Sequence, residues 1–315
     1  WYIQEVEKYR TDVKVVNLSL LNTPWYIKQC RDNEPKAPIA WTDEEIQRLR
    51  PIYTGDGHGM SVAAIAMDHI LRTNDWKQPV YISVTVKRDA YEPYREILEY
   101  EGLVYRVVRR KGENMVNVEK LADNVNNKYD YTGILDKDGN RDHSIYLPPH
   151  TENLIINYAN AFIQLAVSQR RDSLFAEAAR SMELAHNISP NYPPPLELLG
   201  WYYLDAGDTT RAIQFYQDQV KRQPGHVGIR YRLAGAYERT GRYLEAMEQL
   251  DLILKIDPNN RDAAMASVGL AMRLDMIPRA RATLTAWLRR HPEDLGAKQT
   301  LDDLDRVLKQ QDEGQ

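Results

Sequence analysis

Alanine at positions 178, 212, 246 and 280, and proline at 190, 224, 258 and 292, return at a fixed interval of 34 residues. No other feature constrains the fold as tightly. A short unit repeated at constant length cannot bury its apolar face alone and must stack on its neighbours. With units at 159–192, 193–226, 227–260 and 261–294, further columns appear. Leu165, Leu199 and Leu233 share one buried place, followed by the small residues Ala166, Gly200 and Ala234, where a second helix must approach closely. Tyr203 and Tyr237 fill the next turn, and Gly207 and Gly241 occupy a helix–helix turn, where a positive φ costs glycine little. The 178-series alanines open each second helix. The prolines end it, because the ring removes an N–H and clashes with the preceding turn.

Length and pattern together are those of the tetratricopeptide repeat, a helix–turn–helix unit. The fourth unit departs most, with Ser267 and Val268 at the leucine–small pair, Ala271 for tyrosine and Asp275 for glycine. A last amphipathic stretch, 295–312, places Leu295, Leu301, Leu304 and Leu308 near one face and is expected to cap the open end of the stack. Positions 2, 5, 9, 12 and 13 of each unit line the inner face of such stacks. They select Arg170, Arg171, Glu197, Trp201, Tyr231, Glu238, Arg239, Met265 and Arg273 as a groove for a protein or peptide partner. Against this, Trp201 could pack on a neighbouring domain, and the arginines could be plain solvated surface. The Lys and Asn pattern of clamps that grip a terminal carboxylate is not evident.

Composition narrows the function classes. The chain of 315 residues is long enough for two domains, with 43% apolar and 27% charged residues. A net charge of −4 argues against a dedicated nucleic-acid binder. No apolar run reaches membrane-spanning length, and "WYIQEVEKYRTDV" does not resemble a secretory signal. The single Cys30 excludes an internal disulfide. Beginning at Trp1 without Met, the chain is expected to be part of something longer.

The amino-terminal half differs in texture. "DVKVVNLSLL" (12–21), "PVYISVTV" (79–86) and "LVYRVV" (103–108) are β-branched runs that predict strands. Between them lie the helical patterns "PWYIKQCRD", "SVAAIAMDHILRTN" and "YEPYREILEYEG", the second with Ser61 as N-cap. The expected fold class is therefore a small α/β domain with a mixed or parallel sheet at 1–110, a loop-rich connection at 111–150 with a helix at 117–129, and an α-solenoid of about four repeats at 151–315.

Candidate chemistry in this half is thin. "TGDGHGMS" (54–61) has Gly55, Gly57 and Gly59 before a helix. It fails the dinucleotide fingerprint at Met60 and lacks a P-loop lysine, so a turn feeding a capped helix is favoured. "DKDGNRDH" offers Asp136, Asp138, Asn140 and Asp142, yet Arg141 stands where a calcium loop needs glycine, and a solvated turn is favoured. The histidines show no metal-ligand spacing; His69 is most simply a packed or half-exposed residue. No catalytic residue, metal or cofactor is assigned.

Three segments together, "WYIQEVEKYRTDVKVVNLSLLNTPWYIKQ" (1–29), "AMDHILRTNDWKQPVYISVTV" (66–86) and "YEPYREILEYEGLVYRVV" (91–108), resemble the soluble portion of a bacterial membrane-protein family related to the protein O-mannosyltransferases. The resemblance implies a multi-pass glycosyltransferase region of the C type, then an extracytoplasmic α/β segment, then tetratricopeptide repeats. Such enzymes move a sugar from a polyprenyl-phosphate donor to a Ser or Thr hydroxyl, with the acid supplied by loops at the membrane surface. These loops, and the acidic Gly-Asp-Asn-Asp segment that precedes the opening Trp-Tyr in the family, are not in this sequence. The implied role is a non-catalytic recognition region on the periplasmic face of a membrane. It would lean on the catalytic domain of the same parent and hold a partner or acceptor protein. Two other readings stand beside it: a free-standing tetratricopeptide adaptor, and a small soluble enzyme binding phosphate at Gly55–Ser61.

Overall fold

The structure is a computed structural model that describes residues 11–53, 59–113 and 115–313, from 307 onward by backbone alone. It divides into two compact units, Trp1–Leu121 and Ala122–Gln315.

In the first unit, helices α1 (Pro24–Asp32), α2 (Asp43–Arg48) and α3 (Val62–Asn74) surround a core of Leu21, Ile27, Cys30, Ile46 and Ala66. Thr42 and Glu45 form a reciprocal capping box that starts α2. Ser61 caps α3, its hydroxyl accepting from the Ala64 amide at 3.2 Å. A short hairpin, β1 (Ile52–Tyr53) with β2 (Gly59–Met60), precedes α3. The main sheet comprises β3 (Tyr81–Ser83), β4 (Leu98–Tyr100), β5 (Val104–Val107) and β6 (Met115–Val116), in the order β3-β5-β4-β6. It is mixed: β5 runs antiparallel to β3 and β4, whereas β4 and β6 are parallel. Ile82, Leu98 and Val107 form its core, with Leu71 of α3 packed against them, so α3 serves both apolar clusters.

Two elements depart from the sequence reading. Residues 12–21 form no strand, although they are rich in valine and leucine. The Asn17 amide donates to the Tyr26 hydroxyl (2.9 Å), and the Asn17 side chain accepts from the Leu20 amide (3.2 Å), bending the chain into a short 3₁₀ turn at Leu20–Asn22. The pattern at 91–102 is not one helix. A single turn, α4 (Arg88–Tyr91), passes into a 3₁₀ stretch carrying Pro93, and the apolar tail becomes β4. Gly102, with φ of 114°, turns β4 back into β5. On β4 the buried Glu99 carboxylate is held by Arg110 and by the Asn117 amide group, so its charge is not left unpaired. The expected helix near 117–129 is present as α5 (Val118–Asp123), continued by a π-helical turn at Asn124–Lys128.

In the second unit, Tyr129 and Tyr131 pack edge-on against Tyr158, and Tyr131 also packs against Phe162. Four antiparallel hairpins follow: α6 (Pro149–Arg171) with α7 (Phe175–Ile188), α8 (Pro193–Asp205) with α9 (Thr209–Arg222), α10 (Val227–Arg239) with α11 (Tyr243–Ile256), and α12 (Arg261–Arg273) with α13 (Ile277–Leu288). A last helix, α14 (Leu295–Glu313), packs on α13. The fold class is thus a small sheet-containing region followed by an α-solenoid.

The 34-residue columns acquire physical meaning here. Ala178, Ala212, Ala246 and Ala280 are each fully buried at the fourth position of the second helix. Ser189, Gln223 and Asp257, each preceding a proline, leave the helical region at ψ of 82°, 72° and 90° and end α7, α9 and α11. The hairpin turns place Ser173, Gly207, Gly241 and Asp275 at φ of 62°, 81°, 77° and 55°. The turn geometry therefore holds even where glycine is replaced. In the cap, Ala297 and Leu304 are buried, but Leu295 is 76% exposed and does not belong to the packed face as expected. It lies at the helix start, ahead of the first inward-facing turn.

Candidate functional site: the inner helices of the stack

The first helices of successive hairpins present the positions singled out from the sequence. Tyr231 is 41% exposed, Trp201 and Met265 are half-buried, and Val167 and Met272 add exposed apolar surface nearby in the repeat register. Trp201 lies across Gly235 of the next hairpin: a Cβ built on that glycine would sit 3.0 Å from Trp201 Cζ2. The Arg239 guanidinium stands 5.9 Å from the same indole, and the Trp201 Nε1 donor is buried without an acceptor among the described residues.

Several charged candidates prove to be engaged with one another. Arg170 Nε donates to Asp205 at 2.6 Å, and Arg239 pairs with the other Asp205 oxygen at 2.8 Å. The Asp205 side chain is only 9% exposed, so one carboxylate of α8 ties α6 to α10. Arg273 pairs with Glu238 at 3.6 Å, Glu197 lies 3.9 Å from Arg232, and Arg171 lies 3.4 Å from its neighbour Asp172. Arg170 and Arg273 also stand over the rings of Tyr202 and Tyr243. Burial raises the Tyr202 phenol pKa, and Arg170 partly offsets the rise.

Asp205 was missed in the sequence. Half of the signal was there: Asp205 shares a repeat column with Arg171, Arg239 and Arg273, and the reversal of sign points to its pair with Arg239, whereas Arg170 reaches it from the adjacent column.

Among the described residues, the other candidates do not assemble chemistry. Residues 54–58 of the glycine-rich loop lie outside the described residues; Gly59 is in β2 and Ser61 caps α3. In 136–143, Asp136 Oδ1 accepts from the amides of Asp138 and Asn140, both at 2.9 Å, and Gly139 turns at φ of 80°. That carboxylate closes its own turn. His69 stacks on Trp41 with centroids 3.8 Å apart, and its Nε2 accepts from the Ala40 amide at 3.0 Å. Burial lowers its pKa below the ordinary histidine value. Among the described residues, no three His, Cys, Asp or Glu side chains gather to hold a metal, and no helix is long and apolar enough to cross a membrane.

Comparison with known proteins adds two family matches. Residues 203–268 match the tetratricopeptide repeat family. The carboxy-terminal unit carries tetratricopeptide repeats. Stacks of this kind serve protein–protein interaction and scaffolding through their extended inner surface. Residues 1–54 and 46–129 match TMEM260-associated domain 2. No curated protein matches the chain.

Among solved structures, a MamA fragment from Desulfovibrio magneticus RS-1 is 18% identical, covering 48% of this chain and 85% of that one, with a TM-score of 0.38. TTC0263, a thermophilic TPR protein in Thermus thermophilus, is 16% identical over 49% of this chain and 88% of its own, at 0.36. YrrB, described as a TPR protein with an unusual peptide-binding site, is 15% identical over 48% and 81%, at 0.36.

Proposed function

We propose that this chain is the recognition and scaffold region of a membrane-bound protein O-glycosyltransferase, with the repeats holding a partner or acceptor protein on the extracytoplasmic side. The observation that carries the recognition role is the exposed apolar surface on the first helices, Val167, Tyr231 and Met272, beside half-buried Trp201 and Met265. Aromatic and methionine side chains supply contact area at a protein interface. The link to a glycosyltransferase is supported by the resemblance of segments 1–29, 66–86 and 91–108 to the soluble portion of that membrane family. Sugar transfer itself is assigned to the parent's membrane region and not to these residues.

The test places a photo-crosslinking amino acid at Tyr231 in the parent protein in cells, and separately compares wild type with a Tyr231→Ala, Met265→Ala variant. The reading expects a crosslink to a protein bearing Ser/Thr-linked sugar, and underglycosylation of that protein in the variant at unchanged thermal stability. Crosslinking to no protein, with glycosylation intact, would overturn it.

A further inference from the structure

Position 9 of the first helix holds Val167, Trp201, Gly235 and Gly269 in the four hairpins. The second and third of these form a filled contact: the Trp201 indole covers Gly235, with Cζ2 and Cη2 at 3.0 and 3.1 Å from where a Cβ would stand, and Arg239 flanks the ring at 5.9 Å. Moving this contact along the stack by one repeat puts Gly269 in the place of Gly235 and Arg273 in the place of Arg239. The ring should then come from position 235, which is glycine and has no side chain. Gly269 is accordingly exposed, and a Cβ built on it would meet no atom within 4 Å. Arg273 pairs with Glu238 at 3.6 Å and stands 5.2 Å from the Tyr243 ring, yet its side chain stays 56% exposed, and Met265 and Met272 lie one turn to either side of Gly269 on α12.

We infer that the notch over Gly269 takes an aromatic side chain from a bound protein segment, in the way that Trp201 occupies Gly235 within the chain. The inference rests on the recognition role proposed above and deepens it by naming the anchor. An aromatic ring suits the place for three reasons. The glycine lets a flat ring approach the helix backbone closely. The methionines adapt to a ring and contact it through sulfur. Arg273 supplies the positive charge that favours an electron-rich face, as Arg239 does for Trp201.

The test uses the full 315-residue chain and a phage-displayed library of random dodecapeptides. Enriched peptides are synthesised, and their affinities measured for wild type, Gly269→Leu and Tyr231→Ala. Leucine fills the notch, and because the site is open and helical the variant should melt no lower than wild type. The expected result is a Trp, Tyr or Phe common to the enriched peptides. Their binding should weaken about tenfold or more in Gly269→Leu, which is about 1.4 kcal/mol, and the Met265 and Met272 methyl resonances should shift on binding to wild type. Peptides that bind Gly269→Leu like wild type yet lose affinity in Tyr231→Ala would overturn the notch and leave the groove standing. A library that enriches no peptide, or peptides indifferent to both substitutions, would overturn the notch and the peptide-binding groove together.

Discussion

Gly200 shows how a single position is dictated by a partner one helix away. A Cβ there would lie 2.1 Å from a ring carbon of Tyr216, whose hydroxyl donates to the Glu197 carbonyl at 2.8 Å. The same two columns elsewhere pair Ala166 with Met182, Ala234 with Leu250 and Val268 with Leu284, so the smallest residue faces the largest. Gly200→Ala should therefore destabilise the protein by about 3 kcal/mol, the upper end of overpacking costs, despite alanine's better helix propensity. Adding Tyr216→Leu, the residue present in the third and fourth hairpins, should recover part of the loss, even though it gives up a hydrogen bond of about 1 kcal/mol. Denaturant unfolding of the two single variants and the double variant checks this; strictly additive costs would refute the steric coupling. The repeat was legible in the sequence because steric demands such as these recur at a fixed interval. The bridge at Asp205 was less legible, because Arg170 and Arg239 reach it from two different repeat columns.

At the level of elements, helix starts in the stack share a column as well. His226, Asn260 and Asp294 each accept from the backbone amide three residues on, at 3.2, 2.9 and 3.1 Å, capping α10, α12 and α14. Asp294 does more than cap. It takes two hydrogen bonds from Arg261, at 2.9 and 3.3 Å, and one from the Trp287 indole at 3.0 Å, joining α12, α13 and α14. These donors, Arg261 first, hold the Asp294 carboxyl well below the usual carboxylate range. A depressed folded-state pKa means that the stabilisation is present in full above the unfolded value of about 3.9 and is lost as pH falls through the folded value. Asp294→Asn keeps the cap and removes the charge. Its melting temperature should lie below wild type at neutral pH, with the gap narrowing as the pH is taken below about 4. A gap independent of pH would mean that the carboxylate's charge contributes nothing.

The amino-terminal elements were harder to foresee for the converse reason. Their strands are two to four residues long, and non-local contacts decide them. The valines of 12–21 predict a strand, but the Tyr26 hydroxyl and the Asn17 side chain bond the backbone there instead.

For the molecule as a whole, the repeat unit bears on how stability is distributed. Each hairpin packs mainly on the next, so the stack should behave as a chain of nearest-neighbour interfaces and not as one block. The cap offers a direct test. Residues 295–315 bury Ala297 and Leu304 and bring Asp305 to within 2.6 Å of Arg281 on α13. Ending the chain at 294 uncovers the apolar side of the last hairpin and leaves Asp294 with no helix to cap. Native-state hydrogen exchange should then show protection falling by about tenfold or more in α12 and α13, equivalent to about 1.4 kcal/mol. Helices α6 and α7, three interfaces away, should keep their wild-type rates. A uniform fall across all hairpins would instead mean that the stack opens only as a whole. Local opening at that end would also bear on binding. Gly269 and Arg273 lie on α12, so the proposed aromatic notch would sit on the hairpin that the cap holds closed. The truncated chain should then lose affinity for aromatic peptides even though Trp201, Tyr231 and the Asp205 bridge stay folded.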